Sequence, residues 1–214
     1  MKLQVAMDTL SPEELLEFLE KIKGYVDIVE LGTPFVLQYG VGIIDDIRKI
    51  IENVEILCDS KIMDAGYYEA NELFKRGADY VTVLAVTEHS TLADSVKAAK
   101  ENGRRVAADM INVHNIGNKV RELEELGVDV IAVHTGVDQQ ALGRTPLEDL
   151  REMRRFSRRA EIAVAGGIAY DTLDLYMEQK PDIIIVGGGI LKAADPVQET
   201  KNIYTAIHKE KVFA

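Results

Sequence analysis

The 214-residue chain has few of the residues that hold small proteins together by covalent links or metals. It contains one cysteine, Cys58, together with four histidines and no tryptophan. A single cysteine excludes an internal disulfide, as is typical of a reducing compartment. No Cys/His cluster or H-E-x-x-H spacing is present for zinc. A chain of this length buries roughly 70% of its unfolded surface, so it needs no such link.

Positive charge is also scarce. The chain has 25 Lys and Arg against 36 Asp and Glu, for a formal net charge of -11. An acidic surface repels phosphate backbones, which argues against nucleic acid as a partner. No apolar run approaches the roughly 18 residues of a membrane span, and residues 1–8 lack the apolar core of a signal peptide. We therefore expect a soluble, cytoplasmic protein with no membrane partner.

Short apolar runs alternate with amphipathic stretches throughout the chain. Eight of them recur at intervals of roughly 20 to 30 residues, as βα units do. Most are continuous Val, Ile, Ala and Leu, the pattern of parallel strands covered on both faces. The predicted strands are 3–8, 26–31, 54–59, 80–84, 105–109, 128–134, 161–165 and 183–186.

Helix signals fill the segments between these strands. Ser11 and Glu14 form a capping box around Pro12, and Gly24 ends that helix. The acidic stretch 122–125 is interpreted as an exposed helix face. The other predicted helices are 67–76, 90–101, 113–126, 146–156 and 196–209.

Eight strands alternating with about eight helices predict an α/β fold, a (β/α)₈ TIM barrel formed as one domain by residues 1–214. An open doubly wound sheet is the structural alternative. That sheet usually has about five or six strands, and a G-x-G-x-x-G motif is missing after the first strand.

Ionisable residues gather at the carboxyl ends of five predicted strands, where such barrels carry their catalytic groups. Singly, the aspartates are explained as helix caps and the histidine as a structural side chain. Glu30 resists such an explanation, because an unpaired carboxylate among apolar neighbours is costly. Together they predict an active site. The residues are Asp8, Glu30, Asp59, Lys61, Asp109 and His134.

Glu30 and Asp59 end neighbouring strands and predict a metal site. Oxygen ligands completed by water and substrate suit Mg²⁺ better than Zn²⁺. Cys58 precedes Asp59 and points the other way on a strand, so it is interpreted as a small buried apolar residue.

Glycines follow the last two predicted strands, at residues 166–167 and 187–189. Barrels often bind phosphate at this place through backbone N–H groups. The pairing predicts a phosphate subsite at Gly167, Gly187 and Gly188. Tight turns without a ligand are the alternative.

Asp59, Lys61 and Asp64 form an Asp-x-Lys-x-x-Asp pattern after the third strand. In this motif, and over nearly its whole length, the chain resembles the orotidine 5′-monophosphate decarboxylase superfamily. Residues 30–34 read Glu-Leu-Gly-Thr-Pro, which resembles the Mg²⁺-dependent branch. The metal-independent orotidylate decarboxylases carry a lysine in place of Glu30.

That branch contains the 3-hexulose-6-phosphate synthases and the 3-keto-L-gulonate-6-phosphate decarboxylases. Asp109 and the Asp-x-Gln-Ala spacing of residues 138–141 resemble the synthases, although the loop is one place out of step. Thr135 stands where the decarboxylases carry an arginine. Gly189 departs from the alanine that is common there, a change not expected to affect phosphate.

The resemblance implies a lyase that adds formaldehyde to D-ribulose 5-phosphate through a 1,2-enediolate, giving D-arabino-3-hexulose 6-phosphate reversibly. For this reaction we expect Glu30 and Asp59 to hold Mg²⁺, Lys61 to stabilise the enediolate and His134 to act as the general base. A homodimer is also implied, with Asp64 reaching the partner's site.

Two further roles follow from the resemblance. Asp109 is expected to orient water or substrate, and Asp8 to position Lys61 or a substrate hydroxyl. Three alternative functions stay open: the decarboxylase, a sugar-phosphate isomerase or epimerase on a similar barrel, and a non-enzymatic sugar-phosphate-binding protein.

Overall fold

The computed structural model describes residues 1–51 and 53–209, and its eight parallel strands close into a barrel in chain order. The predicted (β/α)₈ barrel is confirmed, and the open-sheet alternative is wrong. Four of the strands have the predicted bounds. The strands are β1 Lys2–Met7, β2 Ile28–Leu31, β3 Glu55–Ile62, β4 Tyr80–Leu84, β5 Arg105–Asp109, β6 Val130–His134, β7 Glu161–Ala165 and β8 Ile183–Val186.

Helices join consecutive strands and cover the outside of the barrel. The first begins behind the predicted capping box, in which Glu14 accepts the N–H of Ser11 at 2.8 Å and Ser11 accepts that of Glu14 at 3.3 Å. A 3₁₀ turn spans Tyr170–Thr172. The helices are α1 Pro12–Ile22, α2 Thr33–Tyr39, α3 Ile44–Ile50, α4 Gly66–Lys75, α5 His89–Asn102, α6 Ile116–Leu126, α7 Val137–Gln140, α8 Leu147–Phe156, α9 Leu173–Met177, α10 Gly188–Leu191 and α11 Pro196–Lys209.

The third strand differs from its prediction. β3 runs beyond residue 59 to Ile62, and its register against β4 shifts between Cys58 and Ile62. Lys61 lies in this irregular stretch with a φ of 47°, a left-handed conformation that is uncommon outside glycine. Such bulges redirect side chains next to active sites. The bulge therefore marks the place where Lys61 leaves the regular alternation of the strand.

The core has two parts. The larger part lies between the strands and the helices and contains Cys58, which is fully buried as predicted. A smaller cluster inside the barrel includes Leu57, Tyr80 and Ile183. Within residues 1–51 and 53–209, no helix has the length and hydrophobicity needed to cross a lipid bilayer.

One aspartate stands directly before each even-numbered strand, so four aspartates are spaced around the base of the barrel. One carboxylate oxygen of each accepts a backbone N–H from the preceding odd-numbered strand, which ties the strand starts together. The bonds are Leu3 to Asp27 at 2.7 Å, Ile56 to Asp79 at 2.8 Å, Val106 to Asp129 at 2.9 Å and Ile162 to Asp182 at 2.8 Å.

The acidic stretch 122–125 is not simply an exposed face, because Glu124 is only 8% exposed. Its Oε1 accepts the hydroxyl of Ser157 at 2.9 Å and the backbone N–H groups of residues 158–160. Burial opposes ionisation, but these hydrogen bonds outweigh it and lower the pKa of Glu124 to about 2. Glu124 therefore anchors the loop after α8, and the prediction is wrong at this residue.

Candidate active site

The carboxyl ends of the strands surround a cavity of about 850 Å³. Every predicted site residue except Asp64 lines it. The structure thus gathers, at one mouth, residues that the sequence spreads over most of its length. The lining includes Asp8, Glu30, Asp59, Lys61, Asp109, His134, Gly167, Gly187 and Gly188.

Lys61 is held between two carboxylates. Its Nζ donates to Oδ1 and Oδ2 of Asp59 at 3.1 and 2.8 Å and to Oδ2 of Asp109 at 2.9 Å. Burial lowers the pKa of Lys61, but Asp109 and Asp59 together raise it well above its usual range. The lysine is consequently a fixed positive charge facing the cavity.

Asp109 also contacts His134. Its Oδ2 lies 2.9 Å from Nδ1 of the imidazole, and its Oδ1 accepts the N–H of Ile111 at 2.9 Å. Burial opposes ionisation, but His134 and Lys61 hold the pKa of Asp109 at about 2. An ionised carboxylate only accepts hydrogen bonds, so Nδ1 carries the ring hydrogen and Nε2 is the nitrogen available to take a proton.

Two threonines that sequence reasoning missed fix Asp59. Thr33 donates to its Oδ2 at 2.8 Å, and Thr82 donates to its Oδ1 at 2.7 Å. The hydroxyl of Thr82 also accepts the backbone N–H of Lys61 at 2.9 Å, which supports the bulge in β3. A hydroxyl within the apolar run of β4 was the available signal for Thr82.

Asp8, Glu30 and Asp59 form a group of carboxylates that repel one another. Glu30 is 7% exposed and accepts a hydrogen bond from Gln4 at 2.6 Å, a partner that sequence reasoning also missed. Burial and the charge of Asp59, with a smaller effect of Asp8, raise the pKa of Glu30 to about 8. Burial and Asp59 likewise raise the pKa of Asp8.

A divalent cation at Glu30 and Asp59 would relieve the crowding of negative charge, and the donors there are oxygen atoms. In the part of the chain that the structure describes, no three His, Cys, Asp or Glu side chains converge as a complete metal cage. Mg²⁺ is commonly held by one or two carboxylates, with waters and substrate completing its shell. Glu30 and Asp59 fit that arrangement.

Asp8 sits against two glycines. A Cβ on Gly32 would lie 1.9 Å from Oδ1 of Asp8, so this approach requires glycine. The hydrogen bonds of the Lys61 ammonium go to Asp59 and Asp109. Of the two roles expected for Asp8, contact with a substrate hydroxyl therefore agrees with the geometry better than positioning of Lys61.

The glycine turns after β7 and β8 form another part of the cavity wall, and Gly187 adjoins Asp8. Gly166 and Gly167 have φ values of 121° and 67°. Within the described residues, the N–H groups of Gly167 and of residues 187–189 donate no hydrogen bond. A Cβ on Gly189 would lie 2.2 Å from the carbonyl oxygen of Ile168, so the two turns pack directly on each other. Glycine at 189 is therefore a packing requirement.

Asp64 lies apart from these residues. It is exposed, and its Oδ1 accepts the N–H of Ala65 at 2.7 Å. Asp64 is no part of the cavity that its own chain forms.

A model of the orotidine 5′-phosphate decarboxylase / HUMPS family matches residues 1–203. This chain belongs to that family. Similarity to individual members extends over nearly the full length. A Staphylococcus epidermidis protein named 3-hexulose-6-phosphate synthase is 44% identical over 207 residues, covering 97% of this chain and 99% of that protein.

Solved structures of the family agree. The crystal structure of 3-hexulose-6-phosphate synthase from Salmonella typhimurium has a TM-score of 0.95 at 47% identity, covering 98% of this chain and 99% of that one. A 3-keto-L-gulonate-6-phosphate decarboxylase from Vibrio cholerae has a TM-score of 0.84 at 23% identity, covering 97% of each chain. The latter likeness shows the shared fold alone. As a member of the family the chain is an enzyme, which removes the alternative of a non-enzymatic binding protein.

Proposed function

We propose that this enzyme is an aldehyde-lyase that reversibly adds formaldehyde to D-ribulose 5-phosphate, forming D-arabino-3-hexulose 6-phosphate. Relatives at 44% and 47% identity carry the name of that synthase. The single observation that carries the proposal is the pair of hydrogen bonds by which Asp109 joins Lys61 to His134. A fixed cation beside a proton acceptor is what the formation of an enediolate requires.

Mg²⁺ held by Glu30 and Asp59 would supply positive charge to the ketose oxygens. Both carboxylates line the cavity, and burial together with the charge of Asp59 raises the pKa of Glu30 to about 8, an unfavourable setting for its negative charge that a cation would relieve. Thr33 and Thr82 keep Asp59 oriented toward this position.

His134 begins the reaction in this account. Nε2 takes a proton from C1 of the pentulose, leaving a 1,2-enediolate whose negative charge the Lys61 ammonium stabilises. C1 then forms a carbon–carbon bond to the carbon of formaldehyde, the C2 carbonyl of the ketose forms again, and the oxygen of formaldehyde becomes an alkoxide. The protonated His134 returns its proton to that alkoxide, so the enzyme ends in its starting state. Asp109 orients both residues and needs no change of charge.

The phosphate of the pentulose binds at the glycine turns. N–H groups of Gly167, Gly187 and Gly188 are free to donate to it, since they have no acceptor among the described residues. Oδ2 of Asp8 lies 3.2 Å from the point that a Cβ on Gly187 would occupy, so this subsite adjoins Asp8. C1, at the other end of the substrate, then lies toward Lys61 and His134.

We also propose that the active form is a homodimer in which Asp64 completes the partner's site. Supporting this, the neighbourhood of Asp64 exposes apolar side chains: Met63 is 52% and Tyr68 69% exposed. Mixing Asp64→Asn with Lys61→Ala chains gives heterodimers with one intact shared site. Recovery of about one quarter of wild-type activity supports the proposal, and activity no better than either variant alone contradicts it.

The reaction is tested by incubating the purified protein with Mg²⁺, ribulose 5-phosphate and formaldehyde. Loss of formaldehyde that requires both the pentulose and Mg²⁺ supports the synthase. A control without pentulose corrects for formaldehyde that is lost by reaction with protein amines. No loss contradicts the proposal. The decarboxylase alternative is tested separately with 3-keto-L-gulonate 6-phosphate, from which we expect no release of CO₂.

A further inference from the structure

A second lysine lines the cavity. Apart from Lys61, the only lysine or arginine among the described lining residues is Lys192. Lys61 pairs with Asp59 and Asp109. Lys192 is exposed and forms no ion pair with any residue in the described ranges 1–51 and 53–209. It is therefore the uncommitted positive charge of the cavity.

The backbone directs this side chain over the glycine turn after β8. The N–H of Lys192 donates to the carbonyl oxygen of Gly188 at 3.1 Å, which sets the two residues one helical turn apart. Side chains in a helical turn lean back over the residue four positions earlier. Accordingly, Cε and Nζ of Lys192 lie 3.7 and 3.9 Å from the point that a Cβ on Gly188 would occupy.

The glycine turn of residues 187–189, next to this ammonium, has backbone N–H donors, which carry no net charge. The N–H groups of residues 187–189 have no acceptor among the described residues. The remainder of the mouth is acidic, with Asp8, Glu30, Asp59 and Asp109 in the lining. A doubly charged phosphoryl group entering this mouth is repelled by the carboxylates, so a cation at the glycine turn has a direct electrostatic function.

We propose that Lys192 is a substrate-binding residue whose ammonium pairs with the phosphoryl group of the sugar phosphate and so selects phosphorylated over unphosphorylated pentuloses. The inference rests on the proposed function for the identity of the sugar. The attraction of a phosphate to the turn at Gly188 can be tested without turnover. A merely solvated surface lysine affects neither substrate KM nor phosphate binding.

The first test is steady-state kinetics with saturating formaldehyde and varied ribulose 5-phosphate. In Lys192→Met, which keeps the length of the side chain but not its charge, we expect KM to rise about 10-fold with kcat within about twofold. Lys192→Arg restores the charge, and we expect its KM to stay within about threefold of wild type. The matched control is Lys209→Met, which removes the same charge from an exposed position at the far end of α11.

The second test uses inorganic phosphate as the probe and titration calorimetry of the intact protein. Weaker phosphate binding by Lys192→Met than by wild type and Lys209→Met supports the inference. Equal binding overturns it, even if the wild-type protein shows no formaldehyde consumption and the proposed reaction fails.

In an active wild-type enzyme, an unchanged KM in Lys192→Met overturns the role of Lys192 and leaves the reaction intact. A loss of kcat at unchanged KM also overturns it, because the lysine would then act on the chemical step rather than on binding. Equal melting temperatures of the variants show that none of these results reflects misfolding.

Discussion

One oxygen, Oδ2 of Asp109, lies 2.9 Å from Nζ of Lys61 and 2.9 Å from Nδ1 of His134. The two side chains come from β3 and β6, and Asp109 ends β5 between them. A single carboxylate thereby holds the cation and the base of the proposed reaction in one geometry. Its own pKa of about 2 keeps it ionised throughout the neutral range.

Asp109→Asn tests this joining function. An asparagine can present its NH₂ to Nδ1, which moves the ring hydrogen to Nε2 and prevents His134 from taking a proton. We expect kcat to fall about 100-fold or more, with KM for the pentulose within about threefold of wild type. Asp94→Asn, at an exposed position on α5, is the matched control. A kcat close to that of wild type contradicts the role of Asp109.

His134→Asn tests the proton transfer by itself. In D₂O without formaldehyde, the wild-type enzyme should exchange hydrogen at C1 of ribulose 5-phosphate, because the enediolate forms before the aldehyde is needed. We expect the variant to exchange at least about 100-fold more slowly, a loss typical for removal of a general base. Proton NMR follows the exchange. Equal exchange rates in the two proteins assign the base to another group.

Mg²⁺ binding can be measured without turnover. A ligand that binds only the folded state raises the melting temperature, by about 4 °C at ten times its Kd for a protein of this size. We expect that shift for wild type and for the exposed control Glu17→Gln. Glu30→Gln should lose most of it. A wild-type protein that shows no shift with Mg²⁺, or a Glu30→Gln variant that keeps the full shift, contradicts the assignment of the metal ligands.

Glu124 makes a prediction about stability and pH. Its pKa is lowered in the folded state from 4.5 to about 2, so its contribution is complete above pH 4.5 and disappears as the pH falls toward 2. Glu124→Gln should lower the free energy of unfolding at neutral pH by about 2 kcal/mol. The difference from wild type should shrink across that acidic window. Urea unfolding at several pH values measures it.

The neighbouring exposed residue Glu125 supplies the control for that experiment. Glu125→Gln should leave the unfolding free energy within about 0.5 kcal/mol of wild type. A Glu124→Gln variant that is as stable as Glu125→Gln at neutral pH argues against the anchoring function.

The strands were predictable where a continuous apolar run carries the signal. β4, β5, β7 and β8 have the predicted bounds. The end of β3 was not predictable, because Lys61 continues the strand with a φ of 47°. Its backbone N–H donates to the hydroxyl of Thr82, which lies 21 residues later in the sequence. The short helices α2 and α3 were also missed, since seven residues give too little periodicity for recognition.

Some residues of the candidate site were likewise predictable from the sequence, and others were not. Charged residues at strand ends were predictable because barrels place their chemistry there. Thr33, Thr82 and Gln4 were missed because they act through another residue's carboxylate, a relation that appears only once the strands are side by side. Lys192 was missed because its relation to Gly188 depends on a four-residue helix.

Formation of the new carbon–carbon bond can be observed directly. The wild-type enzyme is incubated with Mg²⁺, ribulose 5-phosphate and ¹³C-labelled formaldehyde, beside a Lys61→Met variant, and the products are followed by ¹³C NMR. We expect a labelled hexulose 6-phosphate from the wild-type enzyme and none above background from Lys61→Met. Absence of labelled hexulose from the wild-type enzyme, or equal amounts from both proteins, would contradict this expectation.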